Sequence, residues 1–162
     1  MKIRHAEERD FNEIEKIYTD ARNYMAEHGN PTQWGPFYPD RDVILDDIQR
    51  VCLYVIVKDE QIKGVFAGIP GENPAYRALK GEWLSTAPYC TLSRIAGSKN
   101  SSGILQAATD FLLQEYGSVR TDTHINNKKM IEACLRCGYT QVGEITGLIG
   151  KPRPAFQIIR TA

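Results

Sequence analysis

The chain has 162 residues, 42% hydrophobic and 25% charged, and its 20 Lys+Arg balance 20 Asp+Glu. That length suits one domain around one sizeable core, and the even charge gives no global field to draw nucleic acid or an acidic membrane. No apolar run approaches the roughly 20 residues of a membrane helix, and the N-terminal MKIRHAEERD is charged without an apolar core. Neither a membrane span nor a secretory leader is therefore expected, and the cytoplasm is the default location.

Ile3 to Ala6 reads as a short strand. Asp10 stands three residues before Glu13, a capping-box spacing, and Phe11, Ile14, Ile17, Tyr18, Ala21, Tyr24 and Met25 then recur at helical intervals to about Glu27. Gly29-Asn30-Pro31 ends that helix. The following GNPTQWGPFYPDRD has no period, so Trp34, Phe37 and Tyr38 either tuck into the core or line a pocket. Asp40 or Asp42 suits the cap of a second helix through Gln49, with Val43, Ile44 and Ile48 inward.

Val51 to Val57 and Ile62 to Ile69 flank Lys58-Asp59-Glu60-Gln61, the spacing of a hairpin. Gly71 to Gly81 is loop-like, with room for a short helical turn at Ala75, Tyr76 and Leu79. Tyr89 to Ala96 is the next strand pattern. GSKNSSG follows, then Ile104, Leu105, Ala108, Phe111 and Leu112 on a helix that Ser101 or Ser102 is placed to cap. A strand, a loop of small residues and a helix start make a candidate phosphate cradle.

Val119 to His124 has the β-branched pattern of a strand, and Asn126-Asn127 interrupts it before Met130, Ile131, Cys134 and Leu135 recur at helical spacing. Gly138 stands where that helix should stop. Gln141 to Ile145 and Phe156 to Ile159 alternate as strands around a turn-rich GLIGKPRP. The order of elements is that of a mixed α/β (α+β) domain: a central, mostly antiparallel sheet flanked by helices, with one parallel strand pair. No repeat or linker divides residues 1–162, which read as one domain. Cys134-x-x-Cys137 lies on the predicted helix without the second ligand pair of a zinc site, so no metal is expected, and Cys52 and Cys90 read as small apolar residues.

Four separated stretches, Gln33-Trp34 with Tyr38-Pro39, Arg94-Ile95-Ala96, Asp122-Thr123-His124 with Asn127 and Met130, and Gly138-Tyr139, together resemble the Gcn5-related N-acetyltransferase (GNAT) superfamily. The resemblance is to its bacterial, small-molecule-type members and covers nearly the whole chain. It implies a GNAT-like sheet whose parallel pair frames acetyl-CoA as co-substrate, and acetyl transfer to an amine by direct attack on the thioester. The cofactor contacts it implies are Arg94, Ile95 and Ala96 for the pantetheine arm, and Asn127. For the pyrophosphate it points to Ser98, Ser101, Ser102, Gly103 and Ile104. Among the family's loop positions, here Asn100, Gly103 and Leu105, only Gly103 matches, from which weaker pyrophosphate binding is expected.

The same resemblance sets Trp34 and Tyr38 on the acceptor side and a backbone N–H near Ala96 on the thioester oxygen. Direct attack also needs a base and an acid. His124, with an ordinary pKa near 6.5, and Glu82 are the candidate bases, beside Glu72. Cys134 falls where the family's phenol acid is usual, although a packed thiol suits it better. The partners expected are acetyl-CoA and an amine, with no nucleic acid and no membrane, and a homodimer is left open. A catalytically weak acyl-CoA-binding or regulatory module and a protein-modifying acetyltransferase are the alternatives.

Overall fold

The computed structural model describes residues 1–146 and 151–161. Of the turn-rich stretch expected over 147–154, residues 147–150 lie outside the described residues, and Pro152 to Pro154 instead open the last strand. Eight strands form one sheet in the order β1-β2-β3-β5-β6-β8-β7-β4. They are β1 (Lys2–His5), β2 (Leu53–Lys58), β3 (Gln61–Pro70), β4 (Leu79–Gly81), β5 (Cys90–Gly97), β6 (Ser118–Asp122), β7 (Thr140–Thr146) and β8 (Pro152–Ile159). Every neighbouring pair is antiparallel except β5–β6, which is parallel. The mixed α/β architecture expected from the element order is therefore present, with the parallel pair at the middle of the sheet.

Two helices cover each face, as the alternation of the strands dictates. Leu53 and Val55 of β2 point to the side where Ile14, Ile17 and Tyr18 of α1 (Phe11–Glu27) and Ile44 of α2 (Arg41–Gln49) pack. Tyr54 and Ile56 point to the other side. There Ile104, Ala108 and Leu112 of α3 (Ile104–Tyr116) and Cys134 of α4 (Lys128–Arg136) complete the second core. Asp59 and Glu60 both have positive φ, 53° and 62°, so the β2–β3 hairpin closes on a two-residue turn whose twist matches the strands.

Three local expectations are corrected. Asp10 does not cap α1: its carboxylate turns back to Arg4 (2.7 and 2.9 Å) and to the Glu7 N–H (2.9 Å), which closes a 3-10 turn over Glu8–Asp10. Ser101 and Ser102 do not cap α3, whose N-cap is Gly103 at φ 73°. The stretch read as loop holds a further strand, β4, on the sheet edge against β7. That pairing sets Gly81 opposite Gly143, and a Cβ on either would collide with the facing backbone, so two glycines make the strand and no alternation announces it.

A third apolar cluster, of Tyr76, Tyr89, Ile145 and Ala155 with Trp83 against it, sits under the segment that returns from β4 to β5. Arg120 of β6 is buried beside it, its guanidinium 4.1 Å from the Trp83 ring centre and 3.8 Å from that of Tyr89, and it donates to the Ser85 carbonyl at 2.7 Å. Among the described residues no carboxylate bonds this cation, so the two rings and one carbonyl carry it. Arg120→Ala should cost about 2–4 kcal/mol, the sum expected for a desolvated cation–π contact and a charged hydrogen bond. Urea unfolding followed by tryptophan fluorescence measures this, and a loss below about 0.5 kcal/mol contradicts it.

Candidate active site

The parallel pair is short. Cys90 pairs with Val119 and Thr91 with Arg120, and there the ladder ends. The Thr121 hydroxyl still reaches the Leu92 carbonyl at 2.9 Å. Beyond it the strands diverge around a cleft of about 80 Å³ bordered by Ser93, Arg94, Ile95, Thr123, Asn127 and Trp34. Such a gap at the carboxyl ends of neighbouring parallel strands leaves backbone groups free for a ligand.

Strand β5 changes shape at this gap. Ala67 pairs with Ser93 and Val65 with Ala96, so Arg94 and Ile95 together oppose Phe66 in a bulge. Arg94 has φ 48°, a left-handed conformation that a non-glycine residue keeps only when neighbours fix it. Three groups do so. The Tyr18 hydroxyl donates to the Arg94 carbonyl at 2.7 Å, and the guanidinium forks onto buried Asp47 of α2 at 2.7 and 3.0 Å. It also donates to the Tyr38 hydroxyl at 3.2 Å. Burial alone would lower the pKa of Arg94, and the bonds and charge of Asp47 reverse that to a raised value. Burial raises the Tyr18 phenol as well, so it stays a donor.

The aromatic loop after α1 closes the cleft from one side. Trp34 stands edge-on to Tyr18, ring centres 5.6 Å apart, and also borders the cleft, so core and pocket readings both describe it. Gln33, marked in the sequence only as part of the Gln33-Trp34 stretch, is a hydrogen-bonding hub. Its Oε1 accepts from Asn30 Nδ2 (2.8 Å), Asn127 Nδ2 (3.2 Å) and, at 3.4 Å, the Thr123 hydroxyl. Asn127 also caps α4 by accepting from the Met130 N–H at 3.2 Å, so its amide retains one free hydrogen and one lone pair for a ligand.

His124 is buried at this junction. Its Nδ1 accepts from the Asn126 N–H at 3.1 Å, so the neutral ring carries hydrogen on Nε2, which lies 3.3 Å from the Thr32 hydroxyl. In this state the ring offers a proton rather than a lone pair, so base work would first require release of the Asn126 bond. Burial, then the charges of Arg153 and Lys151, hold its pKa below the ordinary histidine value.

At the other end of β5, the turn of Ser98 to Ser101 folds on itself, with the Ser101 hydroxyl donating to the Ser98 carbonyl at 2.6 Å. Ile104 presses against Gly64 and Gly97, where a Cβ would meet it at 2.9 and 3.1 Å, so the start of α3 lies close on the sheet. No side chain caps α3, and its first-turn N–H groups have no intrahelical partner. Ser98 Oγ is enclosed without a hydrogen-bond partner. Leu105 packs toward the core instead of standing over the loop. Free N–H donors and an unsatisfied hydroxyl are the donor set a pyrophosphate needs.

The remaining expected residues fall apart from this cluster. Glu82 is exposed just after β4, which edges the sheet three strands from β6. Glu72 is exposed and bound to Arg77 at 2.7 Å. Cys134 is fully buried in the core, and burial pushes its thiol up to about 12, which removes it from contact with a reacting group. Tyr38 touches the site through Arg94. Asp122, bordering the cleft, is fully engaged: Arg153 meets it at 2.6 Å and the Tyr76 hydroxyl at 2.8 Å. Among the described residues no group of three His, Cys, Asp or Glu is arranged to hold a metal ion.

No family model and no curated protein matches the chain. Solved structures do. A GNAT-family acetyltransferase from Streptococcus agalactiae superposes with TM-score 0.89 at 28% identity, over 99% of this chain and 96% of that one. A GNAT-family acetyltransferase from Listeria monocytogenes follows at TM-score 0.73 and 20% identity, over 98% and 94%. A Salmonella typhimurium acetyltransferase, solved with acetyl-CoA, has TM-score 0.63 at 14% identity, over 100% and 96%. The last two likenesses are of fold.

The buried imidazole gives this junction a pH dependence. Because the folded pKa is the lower one, the unfolded chain binds the proton more readily, and stability rises with pH across that window. The contribution of His124 should be present above about 6.5 and be lost as pH falls through that value toward the folded pKa. Urea unfolding at a series of pH values should show this loss, and His124→Gln should flatten it. An unchanged slope in the variant overturns the assignment.

Proposed function

The chain is a member of the GNAT superfamily of acetyltransferases, and on that premise we propose that it transfers the acetyl group of acetyl-CoA to the amine of a small molecule by direct attack. The observation that carries this reading is the diverging β5–β6 pair, bordered by a left-handed bulge at Arg94 and followed on the same strand by the uncapped start of α3.

Bound acetyl-CoA supplies the thioester. Backbone groups of Arg94 and Ile95, which have no register partner on β3, line the pantetheine arm and direct an N–H at the thioester oxygen, where negative charge grows as the amine adds. Asp47, Tyr18 and Tyr38 hold that N–H in place through Arg94. First-turn N–H groups of α3, with Ser98 and Gly103, receive the pyrophosphate, and Asn127 offers its free amide hydrogen. Trp34 walls the acceptor side. His124, one residue beyond Thr123 of the cleft wall, holds Asn126 and Thr32 in its resting tautomer, and becomes a base only after the Asn126 bond opens.

A second reading, a catalytically weak acyl-CoA-binding module, is favoured by the Gln33 hub, which ties the aromatic loop to Asn127 and Thr123 beside so narrow a cleft. Two measurements separate the readings. Acetyl-CoA at a hundredfold over its Kd should stabilise the protein by about 2.7 kcal/mol, seen as a rise in Tm. Amine-dependent release of free thiol should accompany it if transfer occurs. Binding without release leaves the second reading, and no binding at millimolar acetyl-CoA overturns both.

Asp47→Asn removes the charge from Arg94 while keeping the shape of the contact. Breaking a buried pair typically costs about 3–5 kcal/mol, so a thermally weakened protein is expected. Below its melting temperature kcat should fall at least about tenfold, equivalent to 1.4 kcal/mol of transition-state stabilisation, with a smaller change in the KM for acetyl-CoA. An unaltered kcat contradicts the positioning role.

A further inference from the structure

Next to the cleft lies a larger cavity of about 300 Å³, between the C-terminal end of α1 and the start of α4. Met25 and Asn127 border both spaces and form the wall between them. Three features give this cavity a chemical character. Lys128 and Lys129 line it from the first turn of α4, and neither forms a salt bridge among the described residues. The first turn of a helix favours acidic side chains, and here it has none, so two cations add to the positive end of the dipole. Asn127 satisfies the Met130 N–H and leaves those of Lys128 and Lys129 without intrahelical partners.

The second feature is Asn30, which lines the same cavity and is only 3% exposed. Its Nδ2 is held by Gln33, and its Oδ1 has no hydrogen-bond partner among the described residues. A buried acceptor without a donor is costly, and a ligand N–H would satisfy it. The third is an absence of opposing charge. Among the described residues no carboxylate lines the cavity, and Asp122, in the neighbouring cleft, is paired with Arg153 and accepts from the Tyr76 hydroxyl. Tyr24, stacked on His28 at 3.8 Å with Lys129 over its ring at 4.6 Å, forms a flat wall.

We propose that this cavity is the acceptor pocket and that it takes a small amine bearing an anionic group, a carboxylate or a phosphate. The anion meets Lys128, Lys129 and the free N–H groups of α4, an N–H of the ligand meets Asn30 Oδ1, and the amine faces the β5–β6 cleft past Met25 and Asn127. The two unpaired lysines repel a diamine, which sets the class apart from polyamines. This assignment rests on the acetyl-transfer reading above for its chemistry, and its binding part stands on the cavity alone.

The test is calorimetry of the full chain with three primary amines of matched length, ending in a carboxylate, a hydroxyl and a second amine, each titrated with and without coenzyme A. The carboxylate-bearing amine should bind at least about tenfold more tightly than the other two, a difference of 1.4 kcal/mol. Lys128→Gln combined with Lys129→Gln, both at exposed positions, should abolish that preference. Where thiol release is measurable, the double variant should raise the acceptor KM and leave the acetyl-CoA KM within about twofold. Equal binding of the three amines, or tightest binding of the diamine, overturns the proposal. A rise in the acetyl-CoA KM alone also overturns it, by assigning the lysines to the cofactor. If coenzyme A does not bind, the acetyl-transfer reading falls, while the order of the amines still decides the chemistry of the pocket.

Discussion

The contact between Arg94 and Asp47 is the constraint on which the rest of the site depends. At Arg94 the strand has left β6 behind and has slipped its register with β3, so neither neighbour in the sheet fixes its backbone. A charged side chain drawn inward to a carboxylate on α2, and a carbonyl held by Tyr18 on α1, supply that constraint from the adjoining layer. The two N-terminal helices thus do more than cover apolar surface. They set the direction of the backbone groups that border the cleft. A fork of two hydrogen bonds also resists rotation, which a lysine in place of Arg94 would permit.

The same economy appears at the β6–α4 junction. Gln33 belongs to a loop without regular structure, yet its one carbonyl oxygen joins that loop to the end of α1, the end of β6 and the cap of α4. Polar side chains in place of backbone pairing hold this junction, and Trp34 packs on the core beside it.

Much of this was legible in the sequence because the signals were local. The helical stripe from Phe11 to Met25, the Asp40 cap, the Lys58–Gln61 hairpin and the strand–Asn–helix pattern around Asn127 each depend on a few residues and recur in the structure. Long-range pairing was not legible. Strand β4 has three residues and exists because Gly81 meets Gly143 across the sheet. Asp10 has the spacing to Glu13 of a cap, but Arg4, six residues back, competes for the same carboxylate with a charge-assisted fork. Asp47 did leave a trace: it falls on the buried side of α2 between Ile44 and Ile48, and a charge in an apolar stripe implies a partner. Gln33 is marked only through the resemblance, as part of Gln33-Trp34; by itself an amide in a polar loop is ordinary and says nothing of its three partners.

The end of β5 shows how a loop with unpromising side chains can still present main-chain donors. Asn100 and Leu105 differ from the glycine-rich pattern the resemblance leads one to expect, but the donors that matter there are main-chain N–H groups, and every residue but proline carries one. What must be conserved physically is access. Gly64 and Gly97 give it by letting Ile104 sink onto the sheet, and Gly103, at φ 73°, turns the chain so that the first turn of α3 faces outward without a cap. Leu105 packs toward the core and so leaves those donors unobstructed. The shape of the turn, more than the identity of its side chains, determines what it is able to bind.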